Sequence, residues 1–364
     1  MQENRDSRVR FPGRRRFSPS RWLPSEPGRV HLVVAGYGAR LGKRRERLVV
    51  REGDRVTADI PFADIEQVTI AGRGATISSD AVYFCTEHGI PITFLTPTGR
   101  PFARLSSPAL HASVVTRRAQ MAALETPRGT EVVLAFVAGK LRNQAVLLKY
   151  FGKSRRRSHP ELHGRLADAA RAIEALLPGL ESLRGRVMED AREPLMVVEA
   201  RASRLYWEAV QALLPGELGF CGRQHQGATD PVNVALNYGY GVLYNEAWGA
   251  LVLAGLEPFA GFLHVDRSGR PSLVLDFVEE FRQAVVDRPV LAELLRGFRP
   301  RPDEEGLPLE DRRRIAEAVL DRLEAQETYS GKRHRLRTIV HLQARRLATA
   351  LRGEGHYAPF VASW

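Results

Sequence analysis

The chain has 364 residues, 44% of them apolar, which is enough for two domains with buried cores. Its net charge of +12 points to an anionic partner, nucleic acid foremost, although an arginine-rich composition also follows from GC-rich coding. No apolar run approaches the roughly 20 residues of a membrane span, and the arginine-rich N-terminus lacks the apolar core of a secretory signal. The two cysteines, Cys85 and Cys221, supply neither a disulfide framework nor a zinc-site spacing, so cytoplasmic residence is the simple expectation.

Residues 1–29 read as a basic, flexible tail. "RFPGRRRFSPSRWLPSEPGR" mixes arginine, proline and serine without periodicity and cannot bury much surface. Over residues 30–108, "RVHLVVAG", "ERLVVREG", "DRVTADIP", "IEQVTIAG" and "IPITFLTPTG" are short β-branched runs punctuated by Gly, Pro and Asp. One helix interrupts them in "SSDAVYFCTEHG", with Ser79 or Asp80 as cap and Gly89 as stop. The segment predicts a small, mostly antiparallel β-rich domain with one packed helix.

Residues 113–364 are dominated by helical spacing, as in "TEVVLAFVAGKLRNQAVLLKYFG", "LMVVEARASRLYWEAVQALLPG", "NVALNYGYGVLYNEAWGALVLAG" and "KRHRLRTIVHLQARRLATALRG". No period of 20 to 50 residues recurs, which argues against a solenoid. The fold class expected is therefore α+β: a small N-terminal β-rich domain followed by a larger all-α domain.

Two helical stretches carry candidate chemistry. In "LMVVEARASRLYWEAV", Glu199 and Tyr206 fall together at the edge of an apolar stripe. A carboxylate at a buried margin is costly without a cation, although a glutamate can also extend to water. In "GFLHVDRSGRPSLVLDFVEEFRQ", His264 precedes a turn, and the helix after it places Asp276, Glu279 and Gln283 opposite an apolar face. A polar face of this kind is usually solvated. Two carboxylates and an imidazole from separate elements would suit Mg²⁺ or Mn²⁺, but spacing does not show that Glu199 meets His264.

Several segments resemble, in order, the CRISPR-associated adaptation endonuclease and integrase family, "Cas-one". They are "ATISSDAVYFCTEHGIPITFLTPTGRPFARL", "KLRNQ", "DPVNVALNYGYGVLYNEAWGALVLAGLEPFAGFLH", "PSLVLDFVEEFRQAVVD" and "HLQARRLATALRGEGHYAPF". The resemblance covers nearly the whole chain after the tail. It implies that the β-rich domain is a dimerisation domain and the helical domain the catalytic one. It places the family's metal ligands on Glu199, His264 and Glu279, with Asp276 supporting or sharing the metal. Ala200 stands where the family often has glycine. The implied cofactor is a divalent Mg or Mn ion, and the implied reaction is attack of a protospacer 3′-hydroxyl on a phosphodiester of the repeat array.

Double-stranded DNA, a homodimer and a small "Cas-two" partner in a heterohexamer are the implied partners. Positive charge for holding DNA is expected from Lys140, Arg142, Arg155 to Arg157, Arg282 and the run from Lys332 to Arg337. Tyr206 and Tyr244 are candidates for stacking on a base or for core packing. A casposase-type transposon integrase is the alternative enzyme, disfavoured by a chain that ends soon after "GHYAPFVASW". A catalytically silent nucleic-acid scaffold is the alternative of another class, and a glycosidase lacks a sugar-stacking cleft.

Overall fold

The computed structural model describes residues 21–24, 30–35, 37–71, 73–96, 101–105, 114–225, 227–264, 267–302 and 307–364. The chain divides into two compact units, Met1–Phe94 and Leu95–Trp364. The division falls earlier than the end of the β-rich segment expected at 108. Of the expected tail, residues 1–20 and 25–29 lie outside the described residues.

The first unit is built from β1 (Arg21–Pro24), β2 (Val30–Ala35), β3 (Ala39–Lys43), β4 (Arg47–Glu52), β5 (Arg55–Pro61), β6 (Ile65–Ala71), β7 (Thr76–Ile77), α1 (Ser79–Glu87) and β8 (Ile92–Leu95), at whose end the unit closes. One sheet runs β1-β2-β6-β8 and a second β5-β4-β3-β7. β1 pairs antiparallel with β2, so that part of the expected tail is sheet. The pairings are less antiparallel than the hairpin spacing suggested, because β2 lies parallel to β6 and β3 parallel to β7. The β3–β5 meander sits between β2 and β6 in sequence and serves as their crossover, which a parallel pair requires. Leu32, Val34, Val68, Ile70 and Ile92 are buried and form the seam of the first sheet. Ser78 caps α1 by accepting from the Ala81 amide at 3.2 Å, one residue earlier than expected, and Gly89 turns the chain at φ 68°.

The second unit begins with β9 (Pro101–Leu105) and continues through α2 (Val114–Ala123), α3 (Pro127–Lys153), α4 (Pro160–Glu174), α5 (Leu177–Glu181), α6 (Met188–Leu213) and α7 (Pro231–Leu253). It ends with α8 (Ser272–Phe277), α9 (Arg288–Leu295), α10 (Leu309–Glu324), the strands β10 (Gln326–Tyr329) and β11 (Lys332–Arg335), and α11 (Leu336–Leu351). The unit is helical as expected, except that the hairpin of β10 and β11 stands where the last helix was expected to start at Lys332. The burial of β10 alternates, and Ser330 and Gly331 both take positive φ, the geometry of a tight hairpin turn. α7 starts on the Asp230 side chain, which accepts from the Asn233 amide at 2.9 Å, with Pro231 in the first turn. It is apolar on most sides and is accordingly buried along its length.

Sequence spacing predicts an amphipathic helix after Pro271 with Asp276, Glu279 and Gln283 on a solvated face. That face is instead buried along with the apolar one. Phe277, Val278, Phe281 and Val285 are fully buried, and so nearly are Asp276, Glu279, Glu280, Gln283 and Asp287. Its winding also changes. α8 tightens into a 3₁₀ turn at Val278–Glu280 and then widens into a π turn at Gln283–Asp287 before α9. α3 crosses this segment at Gly139, where a Cβ would lie 2.7 Å from the Pro359 Cβ and 3.0 Å from the Glu280 Cβ. Any larger residue would push α3 away from the turn that carries Glu279.

Each buried carboxylate here has its own solution. Glu280 accepts from the Phe360 amide at 2.7 Å and from Tyr357 Oη, fastening the C-terminal residues to the segment. Asp287 accepts from Tyr206 Oη at 2.7 Å and from Tyr240 Oη at 2.5 Å. Burial pushes the Asp287 carboxyl up to about 6, with the two tyrosine hydrogen bonds opposing that rise. The folded state then holds the Asp287 proton more tightly than the unfolded chain does. Stability should therefore fall as pH rises from about 4 to about 6, by up to about 3 kcal/mol, and level off above. Thermal melts of Asp287→Asn across this range should lack that component, so the wild-type Tm minus the D287N Tm should decrease through the window.

Candidate functional site

α6 presents Glu199 and, one turn on, Ser203, whose hydroxyl donates to Glu199 Oε1 at 2.9 Å. α3 sends Lys140 toward the same carboxylate. Lys140 Nζ donates to Glu199 Oε1 and lies 2.8 Å from Glu279 Oε2. Two carboxylates from separate elements thus converge on one ammonium. Arg282, one turn after Glu279, places Nη2 3.2 Å from Glu279 Oε1 and donates to Tyr244 Oη at 2.9 Å. The Arg282 guanidinium also lies over the rings of Tyr240 and Tyr244, 5.0 and 5.8 Å from their centroids.

These charges set one another. Burial pushes the Glu279 carboxyl upward, but Arg282 and Lys140 outweigh it and hold it at about 2, with a further contribution from His264. Burial likewise disfavours the Lys140 ammonium, and Glu279 and Glu199 more than restore it. Both groups are therefore ionised at neutral pH.

His264 stands on the loop that enters α8. Asp276 holds it: Nδ1 is 2.6 Å from Asp276 Oδ1, which also accepts the His264 amide at 3.1 Å. Asp276 Oδ2 accepts the Phe262 and Leu263 amides at 2.7 and 3.0 Å. Nδ1 carries the proton toward the carboxylate, which leaves Nε2 as the basic nitrogen. Arg192 of α6 donates to the Leu263 carbonyl and ties this loop to the helix that bears Glu199. Asp276 was expected to support or share a metal. Its two oxygens already serve four N–H donors, so it supports His264 and has no lone pair directed elsewhere.

Glu199 and Lys140 open onto a cleft of about 510 Å³, which Arg204, Trp207, Arg223, His225, Tyr240 and Arg282 also line. Arg223 is clamped by Asn233 Oδ1 at 2.8 Å and Asn237 Oδ1 at 2.5 Å. Burial, Arg223 and Arg282 lower His225 to about 4, so its ring is neutral at neutral pH. Sequence reasoning missed Ser203, Arg204, Arg223 and His225. The signal for Arg223 was the Asn233–Asn237 pair, which sits one turn apart behind the Asp230–Pro231 helix start.

The structure corrects several residues expected to hold DNA. Tyr206 is fully buried with its hydroxyl on Asp287, so it belongs to the core. Tyr244 is half-buried with its hydroxyl bonded to Arg282. Lys140 is buried between two carboxylates rather than presented to a backbone. Arg142 is exposed but lines a separate depression with Arg128, Arg184 and His356. Lys332 is exposed at the hairpin, whereas Arg337 in the same run is buried against Glu246 and Glu324. Arg156 and Arg157 are exposed beyond α3, and Arg155 turns back to the Phe151 carbonyl at 2.8 Å.

Among the described residues, no group of three or more His, Cys, Asp or Glu is gathered as it stands around one point where a metal ion could sit. Glu199 and Glu279 do fit a cation as donors. They converge on one point, Glu279 is held ionised there, and the Glu279 Oε2 that points to it is buried without a hydrogen bond of good geometry. His264 and His225 are nitrogen donors near enough to Glu279 for charge on one to act on the other.

Residues 32–306 match the family described as CRISPR associated protein Cas1. The chain is 37% identical over 347 residues to "CRISPR-associated endonuclease Cas1 1" of Archaeoglobus fulgidus, covering 92% of this chain and all of that protein. Among solved structures it is similar to a casposase bound to integration product, with TM-score 0.73 and 22% identity over 90% of this chain and 92% of the other. It is also similar to a chain of a Cas6-RT-Cas1–Cas2 complex, with TM-score 0.72 and 23% identity over 93% of this chain and 37% of the other. The sequence match spans most of both units' described residues and includes Glu199, His264 and Glu279, and on that basis the chain belongs to the CRISPR-associated Cas1 family.

Proposed function

We propose that this chain is a divalent-metal-dependent DNA endonuclease and integrase of CRISPR adaptation. The 3′-hydroxyl of a protospacer attacks a phosphodiester of the repeat array; a new phosphodiester forms as the repeat strand's own P–O bond breaks and its 3′-hydroxyl leaves. The observation that carries this reading is the meeting of the Glu199 and Glu279 carboxylates at a single cation beside a cleft walled by arginines.

Glu199 and Glu279 would hold Mg²⁺ or Mn²⁺ through oxygen, and His264 through Nε2. Held there, the ion would supply Lewis acidity, for an attacking hydroxyl and for the charge that grows on the phosphoryl oxygens. The chain's own groups do the rest. Asp276 fixes the His264 tautomer and aims Nε2 away from itself. Arg282 keeps Glu279 ionised and, with Arg204 and Arg223, lines the cleft with positive charge for a phosphate backbone. Asn233 and Asn237 hold Arg223 in place, so that its charge is positioned before DNA arrives.

The partners follow the same reading. Double-stranded DNA fits the arginine-lined cleft and the net charge of +12. A homodimer that joins a small Cas2 partner in a heterohexamer is the assembly proposed, and a solved structure of similar fold is a complex named for Cas1 and Cas2. Among the described residues, no helix is long and apolar enough to cross a membrane. A silent scaffold would have no use for a buried, ionised Glu279 paired through Lys140 with a Glu199 that opens onto the cleft.

Incubated with its partner, labelled protospacer and supercoiled repeat DNA, the wild type should join the two in Mn²⁺ or Mg²⁺ and not in chelator. Glu279→Gln should retain DNA binding in a filter or gel-shift assay yet lose joining by at least about a hundredfold. Retained joining in E279Q would overturn the assignment.

His264 and Asp276 should separate in a different way. His264→Ala removes a side chain only half-buried, and it should abolish joining with little change in Tm. Asp276→Asn should lower both, because its carboxylate also satisfies three backbone amides, and losing that costs about 1–3 kcal/mol for each amide left unpaired. Melting curves and joining assays on the two variants measure this contrast.

A further inference from the structure

The carboxylates proposed to take a metal are already occupied by the protein itself. Lys140 Nζ lies at the point where Glu199 Oε1 and Glu279 Oε2 converge, 2.8 Å from the latter. Its side chain is 8% exposed, and Glu279 is 7% exposed. An ammonium of ordinary surface type would not be driven into such a place. Transfer from water is costly, and only two nearby carboxylates repay it. Removing the ammonium would leave the buried Glu279 facing a second carboxylate, Glu199, without the cation between them, which costs more still.

The same arithmetic sets a condition on metal entry. A divalent ion shared by Glu199 and Glu279 would lie where Nζ now lies, and two cations do not share one point. Lysine is suited to leave. Its charge sits on a flexible four-carbon stem, unlike a guanidinium fixed in a planar fork. The cleft beside it, about 510 Å³ and lined by Lys140 itself, has room for the displaced ammonium. Arg282 does not move in this exchange, because Tyr240, Tyr244 and Glu279 Oε1 hold it from other sides.

We propose that Lys140 is a resident counter-ion of the metal site. It holds Glu199 and Glu279 together when no metal is bound, competes with the divalent ion for both, and swings into the cleft when the ion enters. This rests on the metal-dependent reading above and adds an occupant to it. The consequence is a site that stays folded without metal but binds it more weakly than its donors alone would.

The test is Mn²⁺ binding to the full chain, read from the free-ion signal in electron paramagnetic resonance, for wild type, Lys140→Gln, Lys140→Arg and Glu279→Gln. K140Q should bind Mn²⁺ about tenfold or more tightly than wild type, since a positive charge beside the ion is gone. K140R should stay close to wild type. In chelator K140Q should melt below wild type, and Mn²⁺ should raise its Tm by more than it raises the wild-type Tm. K140Q binding no tighter than wild type overturns the proposal. Wild type and E279Q binding alike overturns the metal reading instead.

A second measurement needs no variant. Acetic anhydride labelling of wild-type Lys140, followed by peptide mass spectrometry, should be several-fold faster in Mn²⁺ than in chelator. Equal rates in both conditions also sink the exchange.

Discussion

The ion cluster of Lys140, Glu199, Glu279 and Arg282 is the constraint around which the second unit is arranged. Three charges, Lys140 of α3 and Glu279 and Arg282 of the segment after α8, are brought almost out of water, and Glu199 of α6 meets them from the half-buried rim. Burial of that kind is costly for any one of them alone, and it is tolerable only because the signs alternate. The requirement fixes geometry. α3 must come close, which Gly139 permits, and the Glu279 segment must keep Arg282 on the same side, which the tight and then wide winding achieves.

Around this cluster the other buried acids are handled one at a time. Asp276 accepts four N–H groups and becomes the rigid mount of His264. Glu280, one residue past a catalytic candidate, faces the opposite way and fastens the residues after α11 through the Phe360 amide. Asp287 is held by two tyrosine hydroxyls. Four carboxylates within a short stretch thus have four distinct partners. The partners, rather than the residue type, decide which carboxylate is presented to the cleft.

The reading from pattern failed where pattern is blind to burial. Periodicity put Asp276, Glu279 and Gln283 on one face and assigned that face to water. The face was real, but α3, α6 and α7 cover it, and a helix in the middle of a unit has no wet side. For Tyr206 pattern leaves two readings open, stacking on a base or packing in the core. Asp287, eighty-one positions along the chain, takes its hydroxyl and decides for the core. Lys140 and Arg337 looked like free positive charge, and each proves to be buried against glutamates. Conversely the cleft wall formed by Arg204, Arg223 and His225 could not be assembled from sequence, because its parts come from α6 and a loop before α7 that no local period connects.

What the sequence determined by itself was the order of elements, the strand-rich first part and helical second part, the helix that begins near Ser79, and Glu199, His264, Asp276 and Glu279 as residues to watch. Those follow from short-range chemistry: caps, turn formers and side-chain periods act within a few positions of one another. Tertiary structure alone decided that β2 and β6 run parallel, that Asp276 serves His264, and that Glu199 and Glu279 meet at Lys140. Each of these depends on residues far apart in the chain, and on the cost of removing charge from water, which has no value until the fold says what surrounds it.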